Sequence, residues 1–325
     1  MAFANTYDTI NPGSAVSNRE DLTDMLSVLA PTETPFLSTL PKRKAKANYH
    51  EWTCDKLSAP SSAGVVEGSD VSSFENAFED RVRLGNYVQE MRRSYMVSNR
   101  QQLVESVGPA RYAEAQGKKI KELKRDAEFT LLSTNDRVAG GAGVAPKMRG
   151  LGDWIDSAGP TDVPSDYRTP ASSIHASGTF TETVLNSLIT SIYRESGDTQ
   201  NLSLLADTAL RASISGFART SGATDAVYRQ MVQSDAKKLI NTVGIYESDN
   251  GTITIVNMNP ITAPDTTNKD TGYLINYDYV GLAELDSLHG ESLPNFGGGD
   301  RGYLCWMGTL ECLHPGALGK ITVLS

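Results

Sequence analysis

Apolar positions along the chain fall into a few separate patterns, divided by polar stretches rich in Ser, Thr, Gly and Pro. Ser17-Asn18-Arg19-Glu20 has the form of a capping box, a Ser placed to meet a Glu three residues on. Leu22, Met25, Leu26 and Leu29 then share one helical stripe, which stops at Pro31. Pro31 and Pro35 predict an extended or bent strap running through Phe36 and Leu37. Four apolar anchors and a strap cannot form a core by themselves.

Residues 47–57 predict a strand with Tyr49 and Trp52 as its bulky members. A long polar excursion opens at Ser58-Ala59-Pro60 and closes near Asp80. Alternation resumes from Leu84 to Val97, with Tyr87, Gln89, Met91, Arg93, Tyr95 and Val97 on one side. The whole of 47–98 therefore predicts a two-stranded ribbon with a large polar tip. An isolated ribbon is marginal in water and has to lie on something else.

Pro109 to Thr134 carries the longest helical pattern, roughly 39 Å if fully helical. Its apolar stripe is narrow: Ile120, Leu123, Ala127 and Leu131. Lys118, Lys119, Lys121, Glu122, Lys124, Arg125, Asp126 and Glu128 crowd the other faces, which predicts a helix lying across a sheet. Further on, a helix is expected from Thr181 to about Arg194, striped with Leu185, Leu188, Ile189 and Ile192. Leu202 to Ala206 predicts a buried strand, and 208–219 another helix. Asn250-Gly251 between two β-rich runs predicts a two-residue hairpin. A short strand and turn are expected in Tyr273 to Leu285, a flexible link at Asn295 to Asp300, and a closing strand from Tyr303 to Leu313.

Composition narrows the function classes. The chain has 325 residues, enough for about two domains. Its 39% hydrophobic and 21% charged content is an ordinary globular balance. Thirty Lys and Arg against 39 Asp and Glu give a net charge of −9, unsuited to a general nucleic-acid glue. No apolar run approaches 18 residues, so no membrane-spanning helix is expected, and the first residues lack the form of a secretory signal. Cys54, Cys305 and Cys312 are too few and scattered for a disulfide framework, which predicts a soluble protein made in a reducing compartment.

Candidate chemistry is sparse. His50 and Cys54 are four apart in a predicted strand, too far apart to share a metal. Gly140-Gly141-Ala142-Gly143 and the run at Gly297 lack the residues of a phosphate loop, and no G-x-S-x-G elbow occurs. No metal, cofactor or catalytic residue is expected. Lys118, Lys119, Lys121, Lys124 and Arg125 form the one basic patch. It reads either as a solvated face with ion pairs such as Lys118 with Glu122, or as a contact with packaged nucleic acid or a neighbouring subunit.

Particular segments go further. Asn18-Arg19-Glu20-Asp21-Leu22, Pro31 to Ser38 and Tyr49-His50-Glu51-Trp52 stand in one order with Arg83-Leu84-Gly85-Asn86-Tyr87 and Lys121 to Glu128. Arg149-Gly150-Leu151-Gly152-Asp153-Trp154-Ile155 follows, and Thr309-Leu310-Glu311 and Gly319-Lys320-Ile321 close the chain. This series resembles the major capsid protein of tailed bacteriophages (Caudoviricetes-like), in a branch formerly known only as a domain of unknown function. The resemblance implies the α+β HK-ninety-seven-type capsid fold, shared with herpesvirus capsids. Its parts would be an N-terminal arm (1–46), an extended β-ribbon loop (47–98), a peripheral domain with a long spine helix (99–176 and 291–325) and an axial domain (177–290).

It further implies a non-enzymatic viral structural protein of the virion, self-assembling into hexamers and pentamers of an icosahedral head around double-stranded DNA. Assembly would occur in the bacterial host cytoplasm, with separate scaffolding, portal and possible cement proteins and no membrane partner. Leu22, Met25, Leu26, Leu29 and Phe36 would serve inter-subunit assembly through the arm. Glu75, Glu79 and Asp80 on the extended loop would face basic groups of a neighbour, the spine-helix patch among them. Two other readings are a soluble two-domain enzyme with an unrecognised site and a different virion or decoration protein.

Overall fold

The computed structural model describes residues 33–74, 76, 78, 80–104, 111–217, 244–262 and 271–322. Leu22, Met25, Leu26, Leu29, Glu75 and Glu79 lie outside the described residues. Helix α1 (Pro35–Thr39) opens the described chain, with Pro35 in its first turn. The second proline of the predicted strap thus starts a helix, because its fixed φ suits a first helical position, where no N–H is needed. Strands β1 (Lys42–Lys44), β2 (Tyr49–Cys54), β3 (Val82–Tyr87) and β4 (Gln89–Ser98) follow. A short helix α2 (Asn99–Leu103) precedes the spine helix α3 (Arg111–Leu132).

The predicted single return strand is two. β3 pairs antiparallel with β2, Tyr49 opposite Tyr87 and Cys54 opposite Val82. β4 belongs to another sheet, so the ribbon ends at Tyr87 and not at residue 98. The chain crosses between the two at Val88, whose N–H donates to the Asn48 carbonyl at 2.8 Å and whose side chain packs on Ala45 and Ala283. Apolar alternation continues through the crossing, so it could not reveal the change of partner.

Two long strands, β10 (Val280–Leu293) and β11 (Gly299–Cys312), form the centre of the four-stranded sheet, with β1 parallel to β10 at one edge and β4 antiparallel to β11 at the other. β10 runs well beyond the short strand predicted there. Its first four residues are buried and the rest mostly polar and exposed, so only its start carries a hydrophobic signature. The spine helix lies across β4 and β11 and buries Leu123, Ala127, Leu131 and Leu132. Arg93 of β4 fastens it through Asp126, at 2.6 and 2.7 Å.

The second sheet orders β5 (Ile174–His175), β12 (Gly319–Thr322), β9 (Thr271–Asn276), β6 (Leu202–Ala206), β8 (Gly251–Asn257) and β7 (Ile245–Ser248). Between the spine helix and this sheet the chain forms the short α4 (Leu151–Trp154). Helices α5 (Glu182–Ser196) and α6 (Thr208–Phe217) cover the sheet. They pack Leu185, Leu188, Ile189, Ile192, Leu210 and Ile214 on Leu202, Leu204, Leu274 and Ile321. Thr181 caps α5, accepting from the Val184 N–H. Ser248 pairs with Gly251, so the two-residue loop is Asp249-Asn250, one position before the one predicted. Gly251, at φ +150°, follows it.

β9 is buried along its length because both its faces are used. Leu274 faces the second core, while Tyr273 and Ile275 face the first. β10 crosses residue 290 and belongs whole to the four-stranded sheet, and β12 belongs to the six-stranded one.

Candidate assembly surface

The base of the β2–β3 ribbon is fixed by a buried polar cluster. Asn86, fully buried, donates to the carbonyls of Arg149 (3.1 Å) and Leu310 (2.9 Å) and accepts from the Arg149 N–H (2.8 Å). Arg149 is 1% exposed. Its guanidinium donates to Asp136 and Asp162 at 2.6 Å each and lies 2.9 Å from Asp153. It also lies over the Trp154 ring at 4.8 Å, and Trp154 contacts Trp52 of β2. Burial alone would raise the Asp162 carboxyl, but the hydrogen bond and charge of Arg149 outweigh it and hold it below the usual range. Asp153 is raised by burial despite the neighbouring guanidinium.

Gly150 makes this cluster possible. A Cβ there would overlap the Ser133 carbonyl oxygen at the end of the spine helix, which is backbone and cannot swing aside. Gly150→Ala is expected to destabilise the subunit by about 2–4 kcal/mol through forced backbone displacement, measured by denaturant unfolding of the dissociated chain. An unchanged midpoint would contradict this packing.

A second clip is Glu311, buried on β11. Arg43 of β1 donates to it at 2.8 Å and His50 of β2 lies 3.4 Å from its other oxygen. The Arg43 bond ties the strap's exit to the central strand, and His50 brings the ribbon's base against the same carboxylate without a hydrogen bond. Burial first, and then the charge of Glu311, push the nearby Cys54 thiol up. All three cysteines are free, Cys305 and Cys312 buried.

Beyond this base the ribbon opens into the loop 55–81, of which the described residues are exposed. Arg81 holds Asp55 across the neck at 2.9 Å and lies over Phe78 at 4.5 Å. The Tyr167 hydroxyl donates to the Asp80 main-chain carbonyl, leaving its carboxylate free of that contact. The loop is also apolar, which its acids and serines do not reveal. Leu57 is 93% and Phe74 90% exposed, and Val65, Val66, Val71 and Phe78 are exposed with them. Their spacing follows neither helix nor strand, so periodicity offered no signal; the bare count of large apolar residues did.

The spine-helix patch does not act as one unit. Lys118, Lys121 and Lys124 are exposed, whereas Lys119 pairs with Glu122 at 2.6 Å. That hydrogen bond holds the Glu122 carboxyl below its ordinary range. The expected Lys118–Glu122 pair is replaced by this one, and Asp126 is taken by Arg93. Lys124 lines a cavity of about 320 Å³ with Leu37, Leu123, Glu284 and Trp306. Arg125 borders a different groove, with Phe129 and Ile261. Glu128, placed by sequence on a solvated face, is fully buried under α1. Phe36 is fully buried in the chain's own core, so its apolar surface serves the subunit.

Among the described residues no group of three or more His, Cys, Asp or Glu is placed to hold a metal. No described helix is long and apolar enough to cross a membrane. What the geometry offers is a loop anchored at its base that presents exposed apolar side chains. The chain belongs to the SU10 major capsid protein family, whose model matches residues 3–325. It is a virion structural protein. No curated protein matches it. Solved structures show the fold. The capsid of a native GTA particle matches at TM-score 0.62 and 12% identity, over 98% of this chain and 99% of that one. The capsid of cyanophage P-SCSP1u matches at 0.62 and 13%, over 96% and 94%. Mycobacterium phage Bobi matches at 0.62 and 10%, over 97% and 99%. The α+β capsid fold expected from sequence is the fold found.

Proposed function

We propose that the chain assembles into pentamers and hexamers of an icosahedral phage head enclosing double-stranded DNA, and that it works by packing, with no catalysis. The observation that carries this reading is the loop 55–81, anchored through Arg149 and Glu311 yet exposing six large apolar side chains. Burying each on a neighbour contributes about 1.5–3 kcal/mol, on the order of 10 kcal/mol per loop before the cost of ordering it. Contacts of this head-to-tail kind close into rings and shells.

In this reading the arm is residues 1–46, the ribbon and its loop lie within 47–98, the peripheral domain is 99–176 with 291–325, and the axial domain is 177–290. Leu22, Met25, Leu26 and Leu29 seat the arm on a neighbour, and Glu75, Glu79 and Asp80 face its basic groups. The exposed Lys118 and Lys121 touch a neighbour or packaged DNA without reading sequence, and a net charge of −9 disfavours wrapping. Scaffolding, portal and any cement functions belong to separate chains.

Expression of the full chain alone, followed by size exclusion and negative-stain microscopy, tests the reading. Capsomers and closed particles are the expected result. A stable monomer or dimer at high concentration would contradict it, as would small trimers that bind only ready-made shells.

A further inference from the structure

We propose that Glu128 is a protonation-controlled latch on the strap joining the N-terminal segment to the subunit: neutral, it holds α1 in its seat, and ionised, it loosens it. α1 sits on the spine helix by burying Phe36, with Leu40 buried just beyond its end. Glu128 lies beneath it, fully buried, and its Oε2 accepts from the Leu37 N–H at 3.0 Å. Its Oε1 is buried with no hydrogen-bond partner. A carboxylate charge in that place is desolvated on one oxygen and satisfied on the other by a neutral donor.

The surroundings offer no compensating cation. Residues 34–40 contain no titratable group. On the spine helix, Lys124 and Arg125 lie one turn earlier, Lys124 lining the cavity and Arg125 the groove beside Phe129, and neither charge is among the causes that shift the Glu128 carboxyl; Asp126 is bonded to Arg93 of β4. From the turn after β9 comes Tyr277, itself pushed up to about 12 by burial, with the Glu128 charge adding to the shift. Across the cavity, Glu284 of β10 is paired with Lys42 of β1. Among the described residues, no Lys, Arg or His forms an ion pair with Glu128.

Burial therefore pushes the Glu128 carboxyl up to about 7 from 4.5, the N–H groups of Leu37 and Phe36 offsetting only part of the penalty. The sign follows from linkage. The seated strap binds a proton more tightly than the released one. Seating is therefore strongest in acid, weakens as pH rises from about 4.5 to 7, and levels off above that. Near neutrality the carboxyl of the seated strap is about half ionised, so small changes around it alter its charge. The inference concerns the subunit itself and needs no shell.

Hydrogen exchange of the full-length chain tests it, followed by mass spectrometry between pH 5 and 8 and corrected for intrinsic exchange. The peptide spanning 33–41 is expected to lose protection at least about tenfold from pH 5 to 8, with the loss ending near 7. A peptide over β9, in the core, should stay level. Glu128→Gln keeps the acceptor without the charge and should abolish the dependence. Wild-type protection that is flat or rises with pH would overturn the proposal. So would a fall shared equally by the β9 peptide, or a Glu128→Gln chain with the wild-type slope. Should that variant not fold, the wild-type profile against β9 decides alone.

Discussion

Arg149→Ala is expected to lower the thermal midpoint of the dissociated subunit by about 4–7 °C. Removing one member of a buried ionic cluster costs about 3–5 kcal/mol, because the remaining charges keep their desolvation without their partner. Here Asp153 and Asp162 would be left facing each other beside the ribbon base, and Asn86 would lose the fixed backbone it bonds on both sides. Asp136, 65% exposed, can recover hydration, which keeps the loss from growing further. Arg149→Lys should fall between, since an ammonium cannot reproduce the fork that reaches two aspartates. Calorimetry of the disassembled chain checks this. A shift of less than about 2 °C for the alanine variant would show that the cluster contributes little to stability.

Phe74→Ser with Phe78→Ser is expected to leave the subunit's own stability nearly unchanged while raising the concentration needed for assembly roughly a thousandfold. Both rings are exposed in the subunit, so their removal takes away no core contact beyond the stack with Arg81. In a shell each would bury about 2 kcal/mol of apolar surface, and about 4 kcal/mol is close to three orders of magnitude in an equilibrium constant. Light scattering against concentration measures this, with circular dichroism as the check on folding. Assembly at the wild-type threshold would show that these rings do not meet a neighbour.

Much of this architecture was readable because single-faced burial imposes a period. Leu185, Leu188, Ile189 and Ile192 could only be one side of a helix, and Leu123, Ala127 and Leu131 only a narrow stripe over a sheet. The failures have equally definite causes. Val88 hides a change of sheet because alternation does not encode which strand lies alongside. β10 looked short because half of it faces solvent. Glu128 looked solvated because a carboxylate on a charged helix gives no sign of the strap that covers it.

The candidate assembly surface was legible in part. The loop's position and exposure followed from its Ser, Pro and Gly content, but its apolar side chains have no period and were passed over. The Arg149 and Glu311 clips were beyond reach as contacts. Glu311 meets Arg43 across 268 positions, and no local pattern specifies a pairing of that separation. The motif segments that contain them, Arg149 to Ile155 and Thr309 to Glu311, were nevertheless the ones that carried the family resemblance.

A cryo-electron-microscopy reconstruction of particles formed by this chain would show where the loop lies in the shell. The expected result is a closed icosahedral shell in which the loop 55–81 of each subunit lies on a neighbour, with Leu57, Phe74 and Phe78 covered there. A shell whose loops stand free in solvent, or fold back to bury those side chains on their own subunit, would contradict it.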